Sequence, residues 1–371
     1  MRLVKPDLRF PEFKKNWSFK KLKDLLEVYS GRDYKHLEPG EIPVYGTGGY
    51  MLSVSDYLSN NDAIGIGRKG TINKPYLLKA PFWTVDTLFY CIPRKEVDLY
   101  FLLSLFKKIN WKKYDESTGV PSLSKVNIEK IKVYSCELEE QEKIGNFFSK
   151  LDRQIELEEE KLELLEQQKR GYLQKIFSQE LRFKDENNSY PEWKIKKLEE
   201  ISEFQNGKAH ENFVSDTGKF ILVNSKFIST ESKVKKYVDK QLTPLEINDI
   251  AIVMSDVPNG KALAKCYLIE NDNTFTLNQR IGRIFNIEGN SRFLFAQINR
   301  NKQLLKYDNG VGQTNLKKSE IIGIKIYWPN KREQDKIGDF FINLDSIIEK
   351  QSSKVEILKQ RKLGFLQKMF V

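Results

Sequence analysis

The side chains with chemical potential in this chain are lysines, arginines and short amides set beside glycines. Gly65-Ile-Gly-Arg-Lys-Gly70 has the spacing of a dinucleotide fingerprint. Such a site needs a helix to follow at once, so that its N-terminus meets the pyrophosphate. Thr71-Ile-Asn-Lys-Pro75 follows instead, a poor helix start. Lysine follows glycine at Lys208, Lys219 and Lys261, but Ser or Thr never comes next, so no P-loop is present. His36 and His210 are the only histidines, too few for a histidine-based metal site or triad. No nucleophile, base and oxyanion donor come together, and neither a catalytic nor a metal centre is expected. What remains suits a polyanion: Lys and Arg for phosphates, and Arg, Asn, Gln, Ser or Thr for base edges. In the first half these are Tyr45, Thr47, Arg68, Lys69, Thr71, Ser122 and Lys125. In the second they are Asn224, Lys226, Asn259, Lys261, Gln279, Arg280, Gln313, Thr314, Asn315 and Lys317.

Composition agrees with that chemistry. The 371 residues carry a net charge of +11, and 40% are apolar, enough for real cores. Segment 139–177 carries a net −3 and segment 331–370 a net +3, so the positive excess lies elsewhere in the chain. Cys91, Cys136 and Cys266 are scattered and odd in number. That excludes a disulfide framework and a zinc cluster, and it points to a reducing cytoplasm. No run reaches 18 apolar residues, and Met1-Arg-Leu-Val-Lys-Pro6 lacks an apolar signal core. A membrane partner is not expected.

The elements that must position these groups are announced by a repeat. Segment 141–177 recurs at 334–370, matching at 20 of 37 positions at a constant offset of 193. Gln141-Glu-Lys-Ile-Gly-Asn-Phe-Phe148 returns as Gln334-Asp-Lys-Ile-Gly-Asp-Phe-Phe341, and Gly171-Tyr-Leu-Gln-Lys-Ile-Phe177 as Gly364-Phe-Leu-Gln-Lys-Met-Phe370. Apolar residues keep heptad spacing through Ile144, Phe148, Leu151, Ile155, Leu162, Leu165, Tyr172 and Ile176, interrupted only by Glu158 and Lys169. The second copy runs Ile337, Phe341, Leu344, Ile348, Val355, Leu358, Phe365 and Met369, interrupted by Gln351 and Lys362. Seams this long predict two coiled-coil helices of about 55 Å each. A globule precedes each helix, so the pair is expected to run antiparallel about a pseudo-dyad. Buried polar residues often set register. On that ground Glu158 is expected to face Lys362, and Lys169 to face Gln351. The same register sets Ile155 against Phe365 and Tyr172 against Ile348.

The globular parts also repeat, less closely. Trp17 and Trp193 open them as core anchors. A strand into a glycine-rich turn is predicted at 42–50, a strand into a tight basic loop at 62–70 and a β-rich segment at 82–90, with counterparts at 220–227, 249–256 and 274–281. Short helices are predicted at 99–106 and 291–297. Segment 118–125 faces 311–318, so each part ends in a polar loop, a short strand and then its long helix. The fold class is α/β: two α/β domains with mixed or antiparallel sheets, joined by two long antiparallel coiled-coil helices. The boundaries expected are a first domain at 1–137, a helix at 138–180, a second domain at 181–330 and a helix at 331–371.

This arrangement, with the repeated helix motifs and the Tyr45-Gly-Thr-Gly-Gly49 and Gly67-Arg-Lys-Gly70 loops, resembles the specificity subunit of type I restriction–modification systems across essentially the whole chain. The resemblance implies a non-catalytic DNA-binding subunit with two target-recognition domains. Each would read one half of a split, asymmetric target in double-stranded DNA. It also implies helices that space the domains and dock methyltransferase subunits, two of them, with restriction subunits joining through the complex. S-adenosylmethionine, ATP and Mg would belong to those partners, with no cofactor in this chain. A bacterial or archaeal cytoplasm follows. The alternative is a structural coiled-coil adaptor whose basic lobes read no specific sequence.

Overall fold

A computed structural model describes residues 4–258, 260–270 and 274–371. The chain divides into two compact units, Met1–Lys161 with Ser352–Val371, and Leu162–Gln351. Unit one holds β1 (Ser18–Lys21), α1 (Leu22–Leu25), β2 (Leu26–Ser30), β3 (Pro39–Gly46), β4 (Gly49–Val54), β5 (Ala63–Gly67), β6 (Tyr76–Leu78), β7 (Trp83–Thr84), β8 (Leu88–Pro93), α2 (Leu99–Lys108), α3 (Lys125–Lys130) and β9 (Lys132–Ser135). The long helix α4 (Leu138–Phe177) follows. Unit two holds β10 (Lys194–Lys197), β11 (Glu203–Asn206), β12 (Phe220–Val223), α5 (Ser225–Ser229), β13 (Tyr237–Val238), β14 (Ile250–Val253), β15 (Ser255–Asp256), β16 (Cys266–Leu268), β17 (Phe275–Leu277), β18 (Ile281–Phe285), α6 (Ser291–Ile298), α7 (Lys302–Leu305), β19 (Thr314–Asn315), α8 (Lys318–Ile322) and β20 (Lys325–Trp328). The second long helix, α9 (Lys331–Met369), ends the series. Each long helix gives part of its length to either unit.

The two units share a plan. Each has an antiparallel four-stranded sheet, β2-β8-β5-β6 in one and β11-β18-β14-β16 in the other. Each adds a three-stranded mixed sheet, β4-β3-β7 and β13-β12-β17, whose parallel pairs are β3 with β7 and β12 with β17. The central strands read Ala-Ile-Gly-Ile-Gly and Ile-Ala-Ile-Val, and every residue in them is buried. Unbroken apolar strands of this kind belong where both sheet faces are covered. Ile250 and Ile252 enter one core with Phe293 and Ile337, while Ala251 and Val253 enter another with Phe227 and Leu277. The helices at 99–106 and 291–297 form where the apolar spacing puts them. The short helices α3 and α8, between polar loop and last strand, were not foreseen, because one and a half turns leave too little periodicity to read.

A buried carboxylate fastens each unit to its long helix. Glu140, in the first turn of α4, is 2% exposed. It takes Nε and Nη2 of Arg9 at 2.7 Å each and the Trp17 indole N–H at 3.3 Å. Glu333, in the first turn of α9, takes Arg182 at 2.7 and 2.8 Å and the Trp193 indole at 2.9 Å. The next residue forms the second fastening. Gln141 accepts from the Asp98 N–H at 3.1 Å and donates to the Cys136 carbonyl at 2.8 Å. Gln334 does the same with Asn290 and Pro329, at 3.0 and 2.9 Å. Asp98 and Asn290 in turn cap α2 and α6. A Cβ on Gly145 would stand 2.0 Å from the Asp98 carboxylate, and one on Gly338 would stand 2.7 Å from the Asn290 side chain. The repeated Gln-Glu/Asp-Lys-Ile-Gly run is therefore a docking surface for the capped helix as well as part of a seam.

The seam residues are buried or half-buried along both helices, which lie antiparallel within each unit. Their register differs from the expectation. Lys362 pairs with Asp152, not Glu158, and Lys169 pairs with Asp345, not Gln351. Glu158 pairs instead with Lys354 at 2.5 Å. Phe365 meets Phe147 and Tyr172 meets Phe340, each edge-to-face at 5.1 Å, so the pairings with Ile155 and Ile348 do not form. The helices have slid by roughly one to two turns from the expected register. The reason lies beside the seam. Asp152, one residue off the seam, is half-buried and takes Lys107 at 2.8 Å as well as Lys362, so the partly buried Lys362 ammonium finds its countercharge beside the seam, while Glu158 is matched by Lys354. Burial alone would raise the Asp152 carboxyl, but Lys107 and Lys362 outweigh it and hold the group below the ordinary carboxylate range. Burial, then Lys107, lower the Lys362 ammonium.

Two expectations follow. Glu140→Gln or Glu333→Gln leaves a buried arginine without its countercharge and should cost about 3 kcal/mol, read as a lower denaturant midpoint at unchanged slope. Glu140→Asp should recover little, because the shorter arm loses the two-pronged contact. Asp152→Ala should destabilise by about 1–2 kcal/mol, and adding Lys362→Met should return part of it in thermal unfolding. The Asp152 carboxyl titrates lower folded than unfolded. Its contribution is therefore complete above the ordinary carboxylate pKa and fades as pH falls toward the folded value.

Candidate nucleic-acid interface

In unit one the loop after β5 is fastened to two other segments. Arg68 N–H donates to the Thr87 carbonyl at 2.7 Å, and the Arg68 carbonyl accepts from Leu123 at 2.9 Å. Lys69 bridges Ser122, and Gly70 N–H reaches the Pro121 carbonyl at 2.8 Å. Gly70 has φ +83°, a left-handed turn that glycine adopts freely. Asp115 shapes the far loop by accepting from the Ser122 and Ser117 N–H groups at 2.9 and 3.0 Å. Those backbone bonds, Ser122 first, hold its carboxyl below the ordinary range. Arg68, Lys69 and Ser122 thus meet on one backbone bridge, with both cations exposed. Arg68 lies over the Phe89 ring at 5.7 Å.

Unit two repeats the bridge with other side chains. Met254 N–H donates to the Arg280 carbonyl at 2.9 Å, and the Met254 carbonyl accepts from Leu316 at 2.7 Å. Ser255 pairs Asn315 and Asp256 pairs Thr314. Gln313 Nε2 donates to Ser255 Oγ at 2.6 Å, and Thr314 Oγ1 reaches Asp308 at 3.3 Å. The Asp256 carboxylate accepts from Ala262 and Leu263 at 2.7 and 3.1 Å, which presents Lys261 to solvent. Arg280, Gln313, Thr314, Asn315 and Lys261 therefore belong to one cluster of loops. Asn259 lies outside the described residues.

Other candidates have structural employment. Asn224 caps α5 by accepting from Phe227 N–H at 2.9 Å, leaving Lys226 exposed in the first turn. Lys317 is the N-cap position of α8, its backbone N–H donating to Glu320 at 2.8 Å. Gln279 donates to Glu211 at 2.8 Å, and Lys125 opens α3 and pairs with Glu129 at 3.7 Å. Tyr45 packs among Tyr50 and Tyr76, whose hydroxyl donates to Gly46, and Thr47 sits at the hairpin tip. Thr71 closes the turn after Gly70, and its carbonyl would meet a Cβ on Gly67 at 2.2 Å. Strand β6 follows that turn, so 65–70 lacks the helix a dinucleotide site requires.

Reading by polar residue type overlooked Val120, Val257 and Val311, which are 67%, 63% and 85% exposed in these same loops. Apolar contacts of this size suit thymine methyl groups. Their only signal in the sequence is position, valine between glycines, prolines and asparagines. Among the described residues no group of three or more His, Cys, Asp or Glu side chains could hold a metal ion. No described helix is long and apolar enough to cross a membrane.

Two compact units with the same bridge, each built onto half of a duplicated helix frame, are an arrangement shared with known proteins. The family model described as the type I restriction modification DNA specificity domain matches residues 14–167 and again 190–358. The MjaVIII type I restriction enzyme specificity subunit of Methanocaldococcus jannaschii is 30% identical over 288 residues, covering 71% of this chain and 68% of that one. The solved type I system S subunit of M. genitalium covers 99% of both chains, with a TM-score of 0.70 at 17% identity. A second solved chain, from work on complex assembly and conformational transition of a type I system, covers 95% of this chain and 97% of its own, with a TM-score of 0.54 at 11% identity. The fold is theirs, and on the double match of the family model the chain belongs to the type I restriction–modification DNA specificity family.

Proposed function

We propose that each unit reads one half of a split DNA target, with an unread spacer between the halves. The carrying observation is the duplicated bridge at residues 68, 87 and 123 and at residues 254, 280 and 316. Its hydrogen bonds are the same in both units, while the side chains it displays differ. One framework with two sets of side chains suits two unequal half-sites. The exposed lysines grip phosphates, and the amide, hydroxyl and arginine groups read base edges.

The partners are methyltransferase subunits, two per chain, with restriction subunits joining through them. S-adenosylmethionine, ATP and Mg are carried by those partners. Both long helices keep an exposed apolar residue seven positions before a glycine with open space around it. Leu164 (60% exposed) precedes Gly171, and Ile357 (53%) precedes Gly364. Leu157, at 47%, lengthens the first stripe. A glycine inside a helix costs about 1 kcal/mol against alanine, which fits a place where another backbone approaches closely. Two copies of the feature fit two copies of a partner.

Adenine-methylation mapping with the reconstituted methyltransferase tests the reading. A motif of two short, unequal blocks is expected, and a single contiguous block would refute it. Lys69→Ala and Lys261→Ala should each weaken binding across all sequences and reduce the salt slope by about 1, measured by titration at several salt concentrations. Leu164→Asp and Ile357→Asp, both on exposed positions, should leave the fold intact. Each should lower the methyltransferase count from two to one in native mass spectrometry.

A further inference from the structure

The bridge that recurs in both units carries an arginine in both, but on opposite strands. In unit one, β5 and β8 pair Gly67 with Leu88, and the next rung joins Arg68 to Thr87 by the 2.7 Å bond. In unit two, β14 and β18 pair Val253 with Ile281, and the next rung joins Met254 to Arg280 by the 2.9 Å bond. Arg68 therefore occupies the place of Met254, and Arg280 the place of Thr87. Met254 is half-buried against the core that holds Ile252 and Ile284, just as the Arg68 side chain lies along Phe89 beside Ile66. The cation has changed strands while the rung has stayed.

Three observations set these arginines apart from ordinary surface charge. Both are exposed, and neither takes part in the ion pairs found among the described residues, unlike the nearby Arg283, which is buried against Asp249. Each rung is locked by a third segment: Leu123 bonds Arg68 itself, and Leu316 bonds Met254, the rung partner whose N–H holds the Arg280 carbonyl. Arg280 holds φ +66°, a left-handed conformation that a residue with a Cβ rarely adopts unless its surroundings demand it. A fixed backbone with a free guanidinium is the requirement for two-pronged recognition of a guanine edge, because the planar fork must arrive already aimed.

Resting on the split-target reading above, we infer that Arg68 and Arg280 are the guanine-reading residues of their respective units and set one base of each half-site. Opposite residues of an antiparallel rung start about 5 Å apart. The two arginines therefore reach from origins displaced by one strand spacing, and the guanine falls at a different place within each half-site. Lys69, one residue beyond the rung, and Lys261, on the neighbouring loop, face the phosphates.

The test uses the full chain assembled with its methyltransferase and reads the methylated motif genome-wide. Arg68→Ala should relax one position in one block, lowering discrimination there on the order of 10- to 100-fold, with the other block unchanged. Arg280→Ala should do the reverse. Arg68→Gln and Arg280→Gln keep much of the bulk and should shift that position from guanine toward adenine. The rung exchange Arg68→Met with Thr87→Arg should move the specified position within its block. A motif left unchanged by both alanine variants overturns the assignment, whether binding stays the same or falls equally on all sequences. Thermal unfolding of each variant identifies any that fails to fold, and the glutamine pair then decides. A wild-type motif of one contiguous block would sink the split-target reading itself, a result separable from these variants.

Discussion

A carboxylate taken out of water must be answered in full, and in this chain that demand organises everything downstream. Glu140 and Glu333 are almost completely buried, and each is met by a two-pronged arginine and an indole N–H. Burying such a charge unpaired costs several kcal/mol, so chain entry, tryptophan anchor and helix start can come together in only one way. The neighbouring glutamines extend the constraint to the capped helices α2 and α6, and glycines let those caps sit against the long helices. Each sheet, and each loop cluster at its edge, is thereby referred to a long helix. What the loops display is variable because what holds them is not.

The seam shows a second level of the same logic. Heptad spacing decides which faces of α4 and α9 are buried, but apolar residues are nearly interchangeable along it. The choice of register falls to a few ions. Lys169 with Asp345 and Lys362 with Asp152 occupy the same two positions of the repeat, so one pairing rule is applied twice.

Much of this was legible in the residues themselves. The duplicated helices, the tryptophan anchors, the central buried strands and the matching loops all declare themselves by spacing or by repetition. The register was misread because seam positions alone were weighed. Asp152 and Asp345 lie just off the seam, and Lys107 arrives from another element that spacing cannot place. The candidate loops were found, yet the Asn224 side chain also caps a helix, whereas Lys317 stands at an N-cap position through its backbone alone and keeps its side chain exposed. Residue types that cap a helix and types that read a base are the same, and only geometry separates them. The strand exchange of the rung arginine was hidden for a related reason. An alignment by offset sets Arg280 opposite Thr87, and only the backbone ladder shows that Thr87 is the rung partner of Arg68 as Arg280 is of Met254.

The fastening residues at the head of α4 and α9 are of one kind in both halves: glutamate, glutamine, then glycine four positions on. Neither globule therefore has a socket reserved for it. A lobe that brings its own arginine and tryptophan carries every group needed to seat on either helix. Inheritance can then trade, duplicate or reverse the lobes as interchangeable cassettes, and a new specificity costs no redesign of the frame that bears it.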